Sequence, residues 1–551
     1  MTVRRQFVTL TLLLAPGALA QPVSPADAKT KVDTIFARFN RRDSPGCAVG
    51  ASVNGSPVLS AGYGMADLEH NVAITADTVF EPGSITKQFT AAAVLLLAQQ
   101  GKLSLEDPVR KYIPELPDYG TPITIRHLIN HTSGLRDWGN VEAIAGWPRT
   151  TRAYTHAHVL EIVIRQRALN YPPGSEYSYT NTGFNLAAIL VGRVAGKPLP
   201  DFSREAIFTP LDMPSTQWRD DFRRIVPNRA MAYSQAGGTF RTDMPFEDVY
   251  GNGGLLTTVG DLLRWTRNFT DMKVGGRPLV EAQQVQGRLT DGRTIAYAAG
   301  LMMLHWRGLP EVSHSGSTAG YSAWLGRYPD QGVAVAVLCN LAGTNATQLG
   351  HQVADVYLAG AVRAHRLEEN APIDAATLSD RAGLYRSVRD HQTLAIGIQD
   401  GQLRLDRRGL LKPVSANLFT LGDDGLRAYF EAASAGKPAR LRLATEQDEN
   451  DLYERVEPAH PSLPDLEAMT GEYSSDEAEV NLKVVLEQDR LVIHRHPDTK
   501  IPLTPTYRDG FNCSLGSVRF LRDSAGRITE LSVGEPRVWD LRFRRVQPSQ
   551  K

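Results

Sequence analysis

The segment Glu81-Pro-Gly-Ser84-Ile-Thr-Lys87-Gln-Phe-Thr-Ala-Ala-Ala-Val-Leu-Leu-Leu97 places a Pro-Gly turn in front of a long apolar run. The pattern over 89–99 predicts a helix that is buried on all sides. Ser84 then falls in the first turn, and Lys87 lies three residues on, on the same face. A lysine in apolar surroundings has its charged form disfavoured, so it can take the proton of a serine hydroxyl. Ser84 as a plain helix N-cap beside a solvated Lys87 is the alternative.

Two further segments, far along the chain, carry side chains that suit the same chemistry. Tyr179-Thr-Asn181 precedes a helical pattern over 184–195, which predicts a phenol and an amide on a loop that enters a helix. A phenol near a lysine can relay protons, and an amide can hold a substrate carbonyl. His314-Ser-Gly316 comes before a predicted strand pair, and Gly316 would allow close approach of a substrate. A core tyrosine, a turn asparagine and a surface histidine are the alternatives.

Together these segments resemble the three motifs of the penicillin-recognising serine hydrolases. That group includes class C β-lactamases, DD-peptidases, D-aminopeptidases and related esterases. The matching residues are Ser84-x-x-Lys87, Tyr179-x-Asn181 and His314-x-Gly316. Two accessory segments, 124–135 and 253–261, are also similar to that group, and the resemblance covers residues from about 28 to 365.

The resemblance implies an acyl-transfer mechanism for this chain. Ser84 attacks a carbonyl carbon and forms an acyl-enzyme, while Lys87 and Tyr179 share the proton as general base and then general acid. The implied oxyanion hole is made by the backbone N–H groups of Ser84 and Ser317. The implied substrate-binding residues are Asn181, His314, Gly316 and Ser317. Water completes the cycle, so neither a metal nor a cofactor is expected.

The third motif separates this chain from many members of the group, which have lysine where it has His314. A histidine is mostly neutral near pH 7, so it should hold a penicillin-type carboxylate weakly. We therefore expect amide or peptide hydrolysis first, as in D-aminopeptidases, ester hydrolysis second and β-lactam hydrolysis third. A catalytically silent penicillin-binding or sensor module is the rival of another class.

A zinc site is a weaker reading of the histidines. His127 and His131 lie four apart on a predicted helix, as in zinc proteases. Leu128 stands where the general-base glutamate of such a motif belongs. The pattern therefore disfavours a metal.

The order of strand and helix patterns predicts an α+β fold. A hairpin is expected at 47–53 and 57–63 around Asn54-Gly55, and strands return at 296–306, 321–328 and 333–340. Helical patterns fill the interval between them. This order agrees with the fold that the resemblance implies: an antiparallel sheet flanked by helices plus an all-helical lobe.

The remainder of the chain contains an internal repeat of short strands. Gly383-Leu-Tyr385 lies 88 residues before Gly471-Glu-Tyr473, and alternating apolar positions match at the same offset. We expect two small all-β, barrel-like domains behind the hydrolase domain, a layout also found in D-aminopeptidases. The predicted boundaries are 1–20 for a signal peptide, 21–366 for the hydrolase domain, and 372–457 and 462–547 for the β domains.

Composition and the N-terminus limit the partners and the compartment. The 551 residues include 60 Lys+Arg and 60 Asp+Glu, which argues against nucleic acid and favours small-molecule or short-peptide substrates. Residues 1–20 combine a basic start, an apolar core and Ala18-Leu-Ala20, the pattern of a cleavable signal. We expect a periplasmic or secreted bacterial protein with no membrane span. A homo-oligomer is left open.

Three cysteines are too few for a disulfide scaffold. Cys47 and Cys339 sit in apolar runs, where a cysteine is most often an unpaired, buried small hydrophobe. We therefore expect free thiols, with a single bridge as the alternative.

Overall fold

The computed structural model describes residues 24–149, 151–361, 372–406, 408–421, 425–434, 436–445 and 451–547. The predicted signal, residues 1–20, lies outside the described residues. The observed strands before residue 360 are β1 Cys47–Val53, β2 Ser56–Tyr63, β3 Met65–Asp67, β4 Val72–Ala73, β5 Gln217–Trp218, β6 Tyr233–Ala236, β7 Thr239–Thr242, β8 Leu255–Leu256, β9 Met302–Trp306, β10 Leu309–Thr318, β11 Tyr321–Tyr328 and β12 Val333–Cys339.

Helices lie between β2 and β9, before β1 and after β12, and together they cover both faces of the main sheet. They are α1 Pro25–Phe36, α2 Lys87–Gln99, α3 Ile125–Ile129, α4 Trp138–Ala145, α5 His156–Arg165, α6 Asn181–Ala195, α7 Leu199–Ser203, α8 Val259–Asp271, α9 Gly276–Gln283 and α10 Ala346–Tyr357, with 3₁₀ turns at Ala37–Phe39, Gly83–Thr86, Val109–Lys111 and Pro329–Gln331 and a π-turn at Arg204–Phe208. Within the described chain, no helix is both long and apolar enough to cross a bilayer.

The main sheet is antiparallel, in the order β2-β1-β12-β11-β10-β9. Its first and last strands in sequence lie side by side in the interior of the sheet, because β1 pairs with β12. Alternate residues of β12 face opposite sides: Val335 and Val337 pack with α1 and α10, while Ala336 and Leu338 pack with the larger core that contains α2 and α8. Burial on both faces explains why β12 reads as a continuous apolar run. The predicted α+β fold is thereby confirmed.

Two local predictions are wrong. The strand expected at 296–306 begins only at Met302, because Gly300 adopts φ +76° and turns the chain against α2. Cys47 and Cys339 are not free thiols: they face each other across β1 and β12 and form a disulfide. Their apolar surroundings are equally those of a buried bridge, so only the pairing of the two strands could reveal it.

The repeat forms two sheets of the same topology. The first contains β13 Gly383–Ser387, β14 Thr393–Gln399, β15 Gln402–Leu405, β16 Gly409–Leu410, β17 Lys412–Ser415, β18 Leu418–Leu421, β19 Leu426–Glu431, β20 Arg440–Ala444 and β21 Asp451–Val456, preceded by α11 Ala375–Arg381. The second contains β22 Gly471–Ser475, β23 Val480–Glu487, β24 Arg490–Arg495, β25 Thr499–Pro502, β26 Thr504–Pro505, β27 Gly510–Cys513, β28 Gly516–Arg522, β29 Ile528–Glu535 and β30 Val538–Arg545, preceded by α12 Leu463–Met469.

Each sheet curls into a nearly closed barrel. The edge strands are consecutive in sequence, β16 and β17 in the first barrel and β25 and β26 in the second, so the two edges lie close together. Small gaps of this kind leave little unpaired backbone for another chain to pair with. The predicted pair of barrel-like domains is confirmed.

The second barrel docks firmly on the helical lobe. Its apolar interior belongs to the same buried cluster as α2 and α6, whereas the first barrel has a separate core. At the junction Arg136, 3% exposed, donates to Glu477 at 2.7 Å and to the Asp540 carbonyl at 2.7 Å. The C-terminal barrel is therefore held at a fixed position beside the lobe that carries Tyr179.

Candidate active site

Ser84 and Lys87 meet at the start of helix α2. Ser84 lies on the 3₁₀ turn Gly83–Thr86, and Lys87 begins the helix, so that Lys87 Nζ lies 3.0 Å from Ser84 Oγ. The predicted all-round burial of α2 is observed, since its residues from Lys87 to Leu97 are buried. The apolar helix thus fixes an amine next to a hydroxyl in a water-poor environment.

The Lys87 amine has a complete set of partners. Besides Ser84 Oγ, Nζ lies 3.0 Å from Asn181 Oδ1 and 2.7 Å from the Asn252 carbonyl. Burial lowers the pKa of Lys87 well below its ordinary value, and the positive charge of Arg537 lowers it further. A neutral amine has two hydrogens, which suit the two carbonyl-type oxygens, and its lone pair then faces Ser84. This geometry allows Lys87 to accept the serine proton.

Tyr179 and Asn181 come to the same point from the helical lobe. Tyr179 immediately precedes α6, whose N-cap is Thr180 and whose first residue is Asn181. The Tyr179 hydroxyl lies against the Ser84 side chain, but no well-aligned hydrogen bond to it forms within the described residues. Burial raises the pKa of Tyr179 above its ordinary value, so the phenol is protonated at neutral pH. A protonated phenol can donate or relay a proton, and the lowered pKa of Lys87 makes its amine the better candidate for the base.

A histidine that the motif search did not assign supports Tyr179 from behind. The His131 ring lies 4.1 Å from the Tyr179 ring, centroid to centroid, and its Nδ1 accepts from the Thr180 N–H at 3.2 Å. Burial lowers its pKa well below the ordinary value, so the ring is neutral. His127 instead accepts from the Thr124 N–H at the start of α3. The two histidines therefore serve as packing and capping groups.

His314 and Gly316 lie within strand β10, not before the strand pair as the sequence suggested. Both nitrogens of His314 are engaged: Nδ1 lies 2.6 Å from the Ser315 carbonyl and Nε2 lies 3.0 Å from the Tyr297 hydroxyl. Since a carbonyl only accepts, Nδ1 carries the hydrogen and Nε2 accepts from Tyr297. Burial lowers the pKa of His314 to about 4. The third motif therefore brings no positive charge to the site. His314 is buried, so the alternative of a surface histidine is wrong.

Gly316 and Gly83 allow β10 and the serine turn to touch through their backbones. A Cβ on Gly316 would lie 1.9 Å from the Pro82 carbonyl oxygen and 2.8 Å from the Ser84 nitrogen. A Cβ on Gly83, at φ +52°, would lie 2.6 Å from the Ser317 nitrogen. The amides of Ser84 and Ser317 therefore lie along one seam, where the two donors of an oxyanion hole would be needed.

All the predicted site residues line one crevice except Lys87, which is buried directly beneath Ser84. The crevice is lined by Ser84, Tyr179, Asn181, His314, Gly316 and Ser317, and also by residues of both barrels, namely Arg389, Asp451, Pro536 and Arg537. The barrel residues were not predicted, because no motif surrounds them. Asn252 and His131 could have been found, since they adjoin or lie within the two accessory segments.

Comparisons with known proteins agree with this fold. The Beta-lactamase family matches residues 32–358, more than half of the chain, so the chain belongs to that family. Penicillin-binding protein 4* of Bacillus subtilis is 26% identical over 453 residues, which cover 75% of this chain and 98% of the relative. A D-aminopeptidase of Brucella anthropi is 24% identical over 533 residues, 92% of this chain and 96% of the relative.

Solved structures show the same architecture at low identity. The octameric penicillin-binding protein homologue from Pyrococcus abyssi superposes with a TM-score of 0.55 at 21% identity, covering 78% of this chain and all of that chain. At this identity the likeness concerns the fold alone. The class of the protein is thus a β-lactamase-type hydrolase with two appended barrels.

Proposed function

We propose that this chain is an exported serine hydrolase that cleaves amide or peptide bonds through an acyl-enzyme on Ser84. The observation that carries the proposal is the 3.0 Å contact between Lys87 Nζ and Ser84 Oγ, with Lys87 fully buried and held by two further oxygens. An N-cap serine beside a solvated lysine would show none of these features. A silent scaffold has no physical need for a desolvated amine, which is costly to bury.

The first half of the reaction moves one proton and forms one bond. Lys87 takes the Ser84 proton while Oγ adds to the substrate carbonyl carbon, and the negative charge on the carbonyl oxygen is stabilised by the amides of Ser84 and Ser317. The C–N bond then breaks. The leaving amine receives the proton from Lys87 through the Tyr179 hydroxyl, which both accepts and donates.

The second half repeats these steps with water. A water molecule loses a proton to the same Lys87 and Tyr179 pair and attacks the acyl carbon, and Ser84 leaves with that proton. The substrate carbonyl is oriented by Asn181, whose amide lies beside Lys87 in the crevice. Apart from the substrate and this water molecule, the proposed steps use only side chains and backbone amides of the chain.

The choice of amides over β-lactams rests on His314. A neutral imidazole whose two nitrogens are already bonded cannot pair with a carboxylate where many family members have lysine. The relatives named as a D-aminopeptidase and as a penicillin-binding protein are consistent with small peptide or amide substrates. A homo-oligomer also stays a prediction.

Export is supported by two independent features. The N-terminal pattern is that of a cleavable signal, and the Cys47–Cys339 disulfide belongs to an oxidising compartment. Both features support the proposed periplasmic or secreted location. Fractionation of the native host, with mass determination of the mature N-terminus, tests it: recovery of the protein in the cytoplasmic fraction would contradict export, and a mature chain that keeps residues 1–20 would contradict cleavage of the signal.

The catalytic proposal is tested by covalent labelling. A fluorophosphonate should label the wild type once, on Ser84, and Ser84→Ala should abolish the label. Lys87→Met should slow labelling by about 10²-fold or more, because the nucleophile loses its base. Ser60→Ala, which removes an exposed hydroxyl on β2, is the matched control and should label normally. An unlabelled wild type, or equal labelling of Ser84→Ala, would support the silent module instead.

Substrate class is tested by turnover of three reporters. We expect D-alanine p-nitroanilide to be cleaved with a higher kcat/KM, relative to its uncatalysed rate, than p-nitrophenyl acetate, and nitrocefin to be the poorest of the three. A preference for nitrocefin would overturn the ranking, and a preference for the ester would favour a carboxylesterase.

A further inference from the structure

A hairpin of the second barrel reaches into the crevice. Strands β29 and β30 are joined at Pro536 and Arg537, and both of these residues line the crevice beside Ser84 and Tyr179. The Arg537 carbonyl accepts from the Asp137 N–H at 3.2 Å and from Asn170 Nδ2 at 3.0 Å. The hairpin tip is thus docked through its backbone, so its side chains are available to the crevice.

The Arg537 guanidinium lies over the catalytic tyrosine. Its Cζ is 5.0 Å from the centre of the Tyr179 ring, and the side chain is 39% exposed. Among the described residues, its one carboxylate neighbour within 4.0 Å is Asp137, with Nη1 and Oδ2 3.9 Å apart. That distance is too long for a hydrogen bond.

Asp137 is engaged elsewhere. Its Oδ2 accepts from the Asn181 N–H at 2.7 Å, and its Oδ1 accepts from the Gly139 N–H at 3.0 Å. The carboxylate therefore serves to hold the start of α6 and of α4. Within the described parts of the chain, the Arg537 guanidinium has no hydrogen-bond acceptor, although part of its charge is balanced.

The other cations of the crevice are paired directly. Arg149 forms an ion pair with Glu247. Arg389 binds Glu176 at 2.7 Å and Asp451 at 2.8 Å. Since His314 is neutral, the positive charge that a substrate meets next to Tyr179 comes from Arg537.

We propose that Arg537 forms a carboxylate-binding subsite at the mouth of the crevice, so that preferred substrates carry a carboxylate within a few bonds of the scissile carbonyl. This inference rests on the proposed Ser84 hydrolase. The guanidinium fork matches a carboxylate in two parallel hydrogen bonds, and the partly enclosed site strengthens them. A substrate ammonium at the same place would be repelled. The barrel thus supplies, from the far end of the chain, the charge that the third motif lacks.

Arg537 has a second effect that the test must separate from recognition. Its charge lowers the pKa of Lys87, so its removal should shift the pH dependence of every substrate toward alkaline pH. A neutral substrate reports that effect alone. The ratio of kcat/KM between a carboxylate substrate and its neutral counterpart then isolates binding of the carboxylate.

The experiment uses two matched substrate pairs with the full-length protein. One pair is an N-acetyl dipeptide with a free α-carboxylate and the same dipeptide as its carboxamide; the other is an N-succinyl and an N-acetyl amino acid p-nitroanilide. We expect the wild type to favour the carboxylate in at least one pair by about 10- to 100-fold in kcat/KM. Arg537→Gln should abolish this preference, and Arg537→Lys should retain part of it.

Arg544→Gln is the matched control. Arg544 is an exposed arginine on β30, outside the crevice, so its loss changes the charge of the same barrel equally and should leave the preference intact. Equal kcat/KM within both pairs for the wild type, or the same preference in wild type and Arg537→Gln, would overturn the subsite. Fluorophosphonate labelling of Ser84 distinguishes the two proposals: normal labelling without carboxylate preference refutes the subsite alone, whereas an unlabelled wild type refutes both.

Discussion

Gly316→Ala is the sharpest test of the contact between strand β10 and the serine turn. The new methyl group would lie 1.9 Å from the Pro82 carbonyl oxygen and 2.8 Å from the Ser84 nitrogen, where ordinary contacts begin at 3.4 Å. Neither obstacle is the end of a flexible side chain. The strand and the turn must therefore separate by about 1.5 Å, the difference between 3.4 and 1.9 Å.

That separation acts on catalysis more than on folding. It moves the amides of Ser84 and Ser317 apart, and a misplacement of about 1 Å can cost 10²-fold in rate. We expect kcat/KM for an amide substrate to fall by at least about 10²-fold, and fluorophosphonate labelling of Ser84 to slow in parallel. Overpacking in a buried site should lower the unfolding free energy by about 1–3 kcal/mol, which leaves most of the protein folded.

The control is Gly397→Ala, a glycine in strand β14 of the first barrel whose added Cβ would meet no atom within 4 Å. It should change neither kcat/KM nor labelling. Far-UV circular dichroism and a thermal melt confirm that both variants are folded. A folded Gly316→Ala enzyme with kcat/KM within about threefold of wild type would refute the proposed seam and its oxyanion hole.

Three further predictions concern stability, read from urea unfolding. His314 has a pKa of about 4 in the folded chain, below its ordinary 6.5, so the unfolded chain binds a proton first and the free energy of unfolding decreases as pH falls from 6.5 to 4. His314→Gln should remove about 3 kcal/mol of this decrease. The same pH dependence of the unfolding free energy in wild type and variant would contradict the prediction. Replacing Cys47 and Cys339 by Ala opens a loop of 292 residues and should lower the free energy of unfolding by about 5 kcal/mol. The difference between wild type and variant should vanish when both are measured under reducing conditions. Glu477→Gln breaks a buried ion pair with Arg136 and should cost about 3 kcal/mol; no loss would show that apolar contacts alone dock the barrel.

Local chemistry made part of the site predictable. Ser84 and Lys87 lie three residues apart on one helical face, so their contact needs only the helix to form. The buried state of α2 follows from its uninterrupted apolar run. Tyr179 and Asn181 needed the family resemblance, because nothing within their own segment says that it faces Ser84.

Other features of the site have no local signal. The low pKa of His314 depends on burial inside the sheet and on the nearby Lys87, neither of which its neighbours in sequence reveal. The Cys47–Cys339 bridge requires that β1 and β12 be adjacent, although 292 residues separate them. Arg537 looks like any arginine in a β-hairpin turn.

The sequence by itself predicted the α+β class and the duplicated barrels, because periodicity and short-range spacing carry those features. The resemblance of its motifs pointed to Ser84 and Lys87 as the proposed nucleophile and base. Only the tertiary structure decided which charges share the crevice. Charges interact through space rather than along the chain, and the second barrel brings Arg537 to Tyr179 from more than 350 residues away. A single docked hairpin therefore contributes a positive charge to a site whose proposed catalytic groups were found through their motifs and the family resemblance.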